Sequence, residues 1–335
     1  MNPYFDQAKR HHTPEGFRNN YARAPIVNYA GFFKWKLEEL RTGAPRPPAN
    51  NYRFPFAQPD LAFIRSNRGA PGMTWVGHAT LLLQIAGVNI LTDPHFSGRA
   101  SPFPFFGPRR KTPPGLALDD LPHIDAVLIS HNHYDHLDEE SVKRLNAQAG
   151  GPPQFFVPLG VKPWMQAHGI ARAIELDWWE SREFMGLAVH FLPVQHWSRR
   201  TLFDANRALW GAWAVLHPRL RFIFVGDAGY SKDFRDIQAR FGEFDLAAIP
   251  IGHYEPRWFM TPQHIDPAQA VRVHQDLAAR YSVGVHWGVF ELTDEPLDEP
   301  PQKLAEARAR AGVPQERFFL MQLGETRRLD FLLRS

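Results

Sequence analysis

Ile129-Ser130-His131-Asn132-His133-Tyr134-Asp135-His136-Leu137-Asp138 places three imidazoles and two carboxylates in the eight residues 131–138, directly after the apolar run Ala126-Val127-Leu128-Ile129. A short apolar run of this kind reads as a buried strand. Side chains two apart on an extended segment share a face, so His131 and His133 point the same way. Asp135 and His136 then come from the turn that follows. Asp138 stands where it would cap a helix beginning Glu139-Glu140-Ser141-Val142-Lys143-Arg144-Leu145, whose acidic start and basic middle suit the helix dipole. The unit is strand, loop, helix, with ligand-type side chains collected in the loop.

Imidazole and carboxylate together suit zinc or a similar first-row ion. A structural zinc site would normally show thiolates, and this chain has no cysteine. A His-rich turn on a surface can bind metal adventitiously, but here the order His-x-His-x-Asp-His follows a buried strand. That order resembles the signature of the metallo-β-lactamase fold.

Length and composition bound the rest. A chain of 335 residues holds one large domain or two smaller ones. Apolar residues make up 44% and aromatics 13%, ample material for a core. The 30 prolines are nearly twice the usual share of about 5%, which favours a β-rich chain with many irregular connections. The net charge of +3 is spread along the chain and is too mild for a nucleic-acid surface, so no nucleic-acid partner is expected. Without cysteine, disulfides and iron–sulfur clusters are excluded. No run approaches the roughly 18 apolar residues of a membrane span, and the polar N-terminus lacks the apolar region of a signal peptide, so a cytoplasmic chain is expected.

Residues 1–70 show no regular alternation and read as an extension wrapped on a main domain over 71–335. The extension contains one helical piece, Phe32 to Leu40, followed by the proline-rich link Pro45-Arg46-Pro47-Pro48. From Met73 the pattern changes to short β-type runs at 73–77, 80–85 and 88–93, parted by turns at Gly77-His78 and Gly87. Asp93 ends the third run, where a carboxylate can orient a metal-bound imidazole from behind. After the central motif, strand signals at 154–157, 188–193, 212–216, 220–225, 246–250, 283–285 and 317–321 interleave with helix signals at 161–168, 231–241, 267–279 and 302–311. This predicts an α/β sandwich of two central mixed sheets with helices outside.

Three more residues stand at strand ends as His131 does: His196, Asp227 in Gly226-Asp227-Ala228-Gly229, and His286. A single strand-end histidine is usually structural. Several from one sheet edge are how a sandwich assembles a site. His131, His133, Asp135, His136, His196, Asp227 and His286 are too many for one tetrahedral ion and suit two. A carboxylate at Asp227 can bridge ions about 3.5–4 Å apart, the spacing of two-metal hydrolytic sites.

Further stretches narrow the resemblance. They include Trp75-Val76-Gly77-His78-Ala79-Thr80, Leu91-Thr92-Asp93-Pro94, Asp177-Trp178-Trp179-Glu180, Gln195-His196-Trp197, Tyr254-Glu255-Pro256-Arg257-Trp258-Phe259-Met260 and His286-Trp287-Gly288. Together these resemble the N-acyl-phosphatidylethanolamine-hydrolysing phospholipase D family over about residues 70–330. The resemblance implies a phosphodiesterase with two zinc ions per chain, which releases N-acylethanolamine and phosphatidic acid from an N-acylated phospholipid. It assigns His131, His133 and His196 to one zinc, and Asp135, His136 and His286 to the other, with Asp227 bridging. Gln263 and His264 match residues lining the family's substrate site, and Tyr134 and Arg257 complete the candidate substrate contacts. His253 departs from the small residue that animal members carry there.

A phosphodiester repels nucleophiles by its negative charge. Two divalent ions offset that charge and acidify a bridging water, so no serine or cysteine nucleophile is required. Asp135, Asp227 and His264 are the candidate catalytic residues, and Arg99, Arg109, Arg110 and Arg257 are candidates to hold phosphate oxygens. A lactonase or a cyclic-phosphate hydrolase on the same fold is the alternative reading. A two-chain lipid substrate requires apolar and cationic side chains at the site's mouth. Phe103-Pro104-Phe105-Phe106 beside Arg109-Arg110-Lys111, and Trp258-Phe259-Met260 beside Arg257, meet that need, as do Phe32, Phe33 and Trp35 beside Lys34 and Lys36. They predict peripheral membrane contact; core packing or a homodimer contact are the competing uses.

Overall fold

The structure is a computed structural model that describes residues 2–22, 28–43 and 52–334. The link Pro45 to Pro48 lies outside the described residues. In chain order the strands are β1 (Gly72–Gly77), β2 (Thr80–Ile85), β3 (Val88–Thr92), β4 (Ala126–Leu128), β5 (Gln154–Pro158), β6 (Ala173–Leu176), β7 (Ser181–Phe184), β8 (Leu187–Leu192), β9 (Ala212–His217), β10 (Leu220–Phe224), β11 (Leu246–Pro250), β12 (Tyr281–Val285), β13 (Phe318–Phe319) and β14 (Thr326–Arg328). The helices are α1 (Tyr29–Thr42), α2 (Leu61–Ser66), α3 (Glu139–Asn146), α4 (Lys162–Ala167), α5 (Asp233–Phe241), α6 (Arg257–Met260), α7 (Pro267–Asp276) and α8 (Glu299–Ala311).

Two 7-stranded sheets face each other, in the orders β14-β1-β2-β3-β4-β5-β6 and β13-β12-β11-β10-β9-β8-β7. Each contains antiparallel pairs followed by a parallel run, β3 to β6 in the first and β10 to β13 in the second. Parallel neighbours need a crossover, and α3, α4, α5, α7 and α8 supply it on the outer faces. The two-residue period decides what each strand buries. Leu81, Leu83, Ile90, Leu128 and Phe156 point into the space between the sheets, while Leu82, Leu91, Val127 and Phe155 point outward to meet Val142, Leu145 and Met165 of α3 and α4. Both faces are therefore apolar, which is why β1 to β4 read as uninterrupted runs.

The expected helices and strands are present with ends displaced by at most three residues. The sandwich is the predicted one. The segments β6, β7, β14, α2 and α6 were not predicted. Asp138 precedes α3 as expected, but its side chain caps no backbone amide there. Its Oδ2 accepts instead from the Ser97 hydroxyl at 2.7 Å and from the Ser141 hydroxyl, because two hydroxyl donors reach this buried carboxylate from either side.

The first residues are tied to the sandwich at several points. Phe17 is buried in the main core, and Trp35 of α1 donates through Nε1 to Asp294 at 2.9 Å. Among the described residues, no helix is long and apolar enough to cross a membrane.

Candidate metal centre

Strands β1, β3 and β4 run the same way, and so do β8, β10, β11 and β12. Their ends open at one edge of the sandwich, so that the residues following them converge: His78, Asp93 and His131 from the first sheet, His196, Asp227, His253 and His286 from the second. Several hold left-handed backbone conformations, including Asp93 at φ 31° and His286 at φ 63°. Such conformations are costly for residues with a Cβ and persist only where surrounding structure enforces them.

Two donor sets form there. In the first, His131 Nε2 lies 2.9 Å from His133 Nδ1, and His196 Nε2 lies 3.3 Å from the same atom. The outer nitrogens have partners that determine where the hydrogens sit. Ser130 Oγ gives its proton to Asp93 Oδ2 at 2.5 Å, so it accepts from His131 Nδ1 at 2.9 Å. The Gln263 carbonyl accepts from His196 Nδ1 at 2.9 Å. Both Nε2 atoms therefore present lone pairs inward.

In the second set, Asp135 Oδ2 is 3.3 Å from His136 Nε2 and 3.4 Å from His286 Nε2. His136 donates through Nδ1 to Asp93 Oδ2 at 2.7 Å. Asp93 thus orients His136 directly and His131 through Ser130. Asp227 stands between the sets: its Oδ1 is 3.1 Å from His286 Nε2, and its Oδ2 is 3.1 Å from His136 Nε2 and 3.9 Å from both His131 Nε2 and His196 Nε2.

The electrostatics of the buried cluster call for positive charge. Burial alone would raise the carboxyls of Asp135 and Asp227, but the imidazoles around them, His136 foremost, hold both well below the usual carboxylate range. Burial opposes protonation of His136, yet the carboxylates of Asp227 and Asp135 push its pKa well above the ordinary value. His131, by contrast, is held well below by burial and by neighbouring imidazoles. Burial also lowers His133 to about 3 and His196 to about 4, leaving neutral nitrogens ready to bind a cation. Asp227 Oδ1 and His133 Nε2 are buried with no hydrogen-bond partner. Neutral imidazoles, carboxylates and an orphaned carboxylate oxygen form a donor set that fits a pair of first-row divalent ions.

The remaining candidates surround this centre. His264 Nδ1 is 3.9 Å from Asp227 Oδ2, and burial keeps the ring neutral, well below its ordinary pKa. Gln263, His264, Tyr134 and His253 line a cavity of about 830 Å³ that opens on Asp135 and Asp227. The Tyr134 hydroxyl donates to the Arg200 carbonyl at 2.8 Å. The Arg257 guanidinium is committed to protein acceptors: the His264 carbonyl at 3.0 Å, the Tyr254 carbonyl at 3.2 Å and Gln269 Oε1 at 2.9 Å. It sets the position of His264 and does not itself line the cavity. Arg99 and Arg110 are likewise engaged by carbonyls, of Gly107 at 2.6 Å and of His95 at 2.5 Å, and they brace the loop after β3.

Sequence reasoning passed over His78, whose Nε2 is 3.1 Å from Asp135 Oδ2 and whose ring lies 4.1 Å from that of His286. The signal was available: His78 follows β1 at the same sheet edge as Asp93 and His131. Trp197, edge-on to His133 at 4.5 Å, was also missed. So was the apolar tip Leu202-Phe203, which nothing in its polar surroundings in the sequence announces.

Comparison with known proteins agrees with this fold. Residues 88–287 match the family described as Beta-lactamase superfamily domain. The isothiocyanate hydrolase from Delia radicum gut bacteria superposes with a TM-score of 0.61 at 19% identity, covering 77% of this chain and 98% of that one, a likeness of fold. The chain is a metal-dependent hydrolase of the metallo-β-lactamase superfamily. It is 45% identical over 267 residues to N-acyl-phosphatidylethanolamine-hydrolyzing phospholipase D 1 of Caenorhabditis elegans, which spans 75% of this chain and 74% of the relative. The Saccharomyces cerevisiae protein of the corresponding name is 37% identical over 264 residues, 77% of this chain and 56% of its own length. The chain belongs to the N-acyl-phosphatidylethanolamine-hydrolysing phospholipase D family.

Proposed function

We propose that the chain is a dizinc phosphodiesterase that hydrolyses N-acylated phosphatidylethanolamine to N-acylethanolamine and phosphatidic acid at a membrane surface. The observation that carries this reading is the pairing of two donor sets with one large cavity whose walls are mostly apolar. His131, His133 and His196 would hold one zinc, and Asp135, His136 and His286 the other, with Asp227 shared between them. Bound there, two divalent ions supply Lewis acidity, which offsets the phosphate's charge and acidifies water.

The chain's own groups do the rest. Asp93 and the Gln263 carbonyl orient the imidazoles from behind, and second partners of this kind are typically worth about 10–100-fold in metal affinity or activity. His264, neutral and steadied by Arg257, offers a hydrogen bond to a phosphoryl oxygen. Water oxygen adds to phosphorus, the bond from phosphorus to the ethanolamine oxygen breaks, and that oxygen takes up the proton water has lost. Phe32, Trp35, Phe103, Phe259 and Leu292 give the acyl chains an apolar wall.

Phe33 and Leu202 line the cavity yet are left in solvent, and Phe105, Phe106 and Phe203, next in sequence to its lining segments, are exposed as well, the five at 70 to 84%. Arg199 lines the same cavity, and Lys34 adjoins Phe33 in α1. Aromatics settle at headgroup depth, and each basic residue near an anionic surface adds about 1 kcal/mol. The test is hydrolysis of N-acyl-phosphatidylethanolamine in vesicles beside a short soluble phosphodiester and a small lactone. The phospholipid and the soluble ester are cleaved, and F105S/F106S slows only the vesicle reaction. Turnover of the lactone alone would replace this reading with that of a lactonase. Equal loss on both phosphodiesters in the double variant would give the pair to the fold.

A further inference from the structure

Past the end of β8 the chain runs out of strand partners on one side. Gln195 still pairs with Gly229, whose amide donates to the Gln195 carbonyl at 2.7 Å. His196, one residue on, presents its backbone N–H and C=O the other way. The residue is fully buried, and buried backbone groups require partners. One side chain satisfies both: the His196 amide donates to Asn19 Oδ1 at 3.0 Å, and Asn19 Nδ2 donates to the His196 carbonyl at 2.8 Å. The carboxamide does for His196 what the backbone of a neighbouring strand would do. Asn19 Oδ1 also accepts from Trp210 Nε1 at 3.1 Å, which ties it to the core.

Asn19 is itself held from both directions along the chain. Upstream, the Phe17 amide donates to the Asn206 carbonyl at 2.8 Å, and Lys9, His11 and His12 converge on Asp177 at 2.6, 2.7 and 2.9 Å. Downstream, Asn20 Nδ2 donates to Asp233 Oδ1 at 2.8 Å, and the Tyr21 hydroxyl bonds Asp236. Residues far from the metal centre in sequence thus place one amide against the backbone of a member of its first donor set.

We infer that residues 2–22 form a strap through which Asn19 acts as a positioning residue for the metal-holding imidazole of His196. The inference rests on the metal-centre reading above. The Gln263 carbonyl fixes one end of the His196 ring, and Asn19 fixes the backbone from which the ring projects. Together they aim Nε2 at the point it shares with His131 and His133. Without Asn19 the ring keeps its outer hydrogen bond, but its Cα is free to drift.

The test loads wild type, N19A, N19S and N20A with zinc and follows release of the ions to a chromogenic chelator at a temperature where all four are folded. N19A is expected to release one of its two ions at least about tenfold faster than wild type. N19S, whose single shorter hydroxyl cannot bond both backbone groups at once, falls between them and carries the test if N19A does not fold. N20A loosens the same strap one residue further along; its Tm falls, while its ions leave at the wild-type rate. With cobalt(II) in place of zinc, the visible absorption bands change in N19A and not in N20A. Unchanged release from N19A, or equal acceleration in N20A, overturns the inference and leaves Asn19 a part of the fold. A wild type that binds no ion overturns the metal-centre reading, and this inference with it.

Discussion

Two clusters in this molecule share a composition and differ in how far they are satisfied. At the foot of the strap, Asp177 Oδ1 accepts from His11 Nε2 at 2.7 Å and from the Trp178 amide at 2.7 Å, while Oδ2 accepts from Lys9 at 2.6 Å and His12 at 2.9 Å. Two histidines and a carboxylate are gathered there as closely as in a metal site, yet every carboxylate oxygen is paired and the Lys9 ammonium supplies the positive charge. At the strand ends, the Nε2 lone pairs of His131 and His196 turn inward, and Asp227 Oδ1, 3.1 Å from His286 Nε2, receives no hydrogen bond. A set of ligand-type residues becomes a cation site through what the protein leaves unpaired, so the first cluster is a clasp and the second a centre.

The substitution expected to do most damage is Asp227→Asn. It removes a carboxylate shared by both donor sets while keeping its volume, so the fold survives and kcat falls by more than about 10³-fold, or about 4 kcal/mol. Steady-state kinetics on the phosphodiester check it, and retention of more than about a tenth of wild-type kcat would remove Asp227 from the shared position.

The same contrast shows what a sequence reveals. The motif from His131 to His136 was legible because a buried apolar strand delivers it, and His196, Asp227 and His286 because each ends a strand that alternation identifies. The rule extended equally to His78 and His253, but a histidine in a Gly-His turn looks like turn chemistry until the strand directions are known. The edge strands were hidden for another reason. Ser181-Arg182-Glu183-Phe184 in β7 is largely exposed, and Thr326-Arg327-Arg328 in β14 carries charge on a sheet edge, so neither buries a face that would print alternation. Asn19 has no signal of its own in the sequence. Its meaning lies in a backbone 177 residues away.

A smaller effect is expected at the clasp. Burial alone would raise the Asp177 carboxyl, but hydrogen bonds from His11 and Lys9 hold it far below the usual carboxylate range. A depressed folded-state pKa stabilises the protein above the unfolded value of about 3.9 and loses that contribution as pH falls through it. Asp177→Asn should therefore cost about 3 kcal/mol at pH 7, and the loss should shrink as pH drops below about 4. Denaturant unfolding at pH 7, 4 and 3 checks this. A penalty independent of pH would mean that the carboxylate's charge is not what fastens the strap.

Metal content is the most direct test of the distinction between clasp and centre. Protein purified without chelator and saturated with zinc should carry two ions per chain by elemental analysis, in wild type and in Asp177→Asn alike. One ion or fewer at saturation in the wild type, or an ion lost with Asp177, would contradict the account.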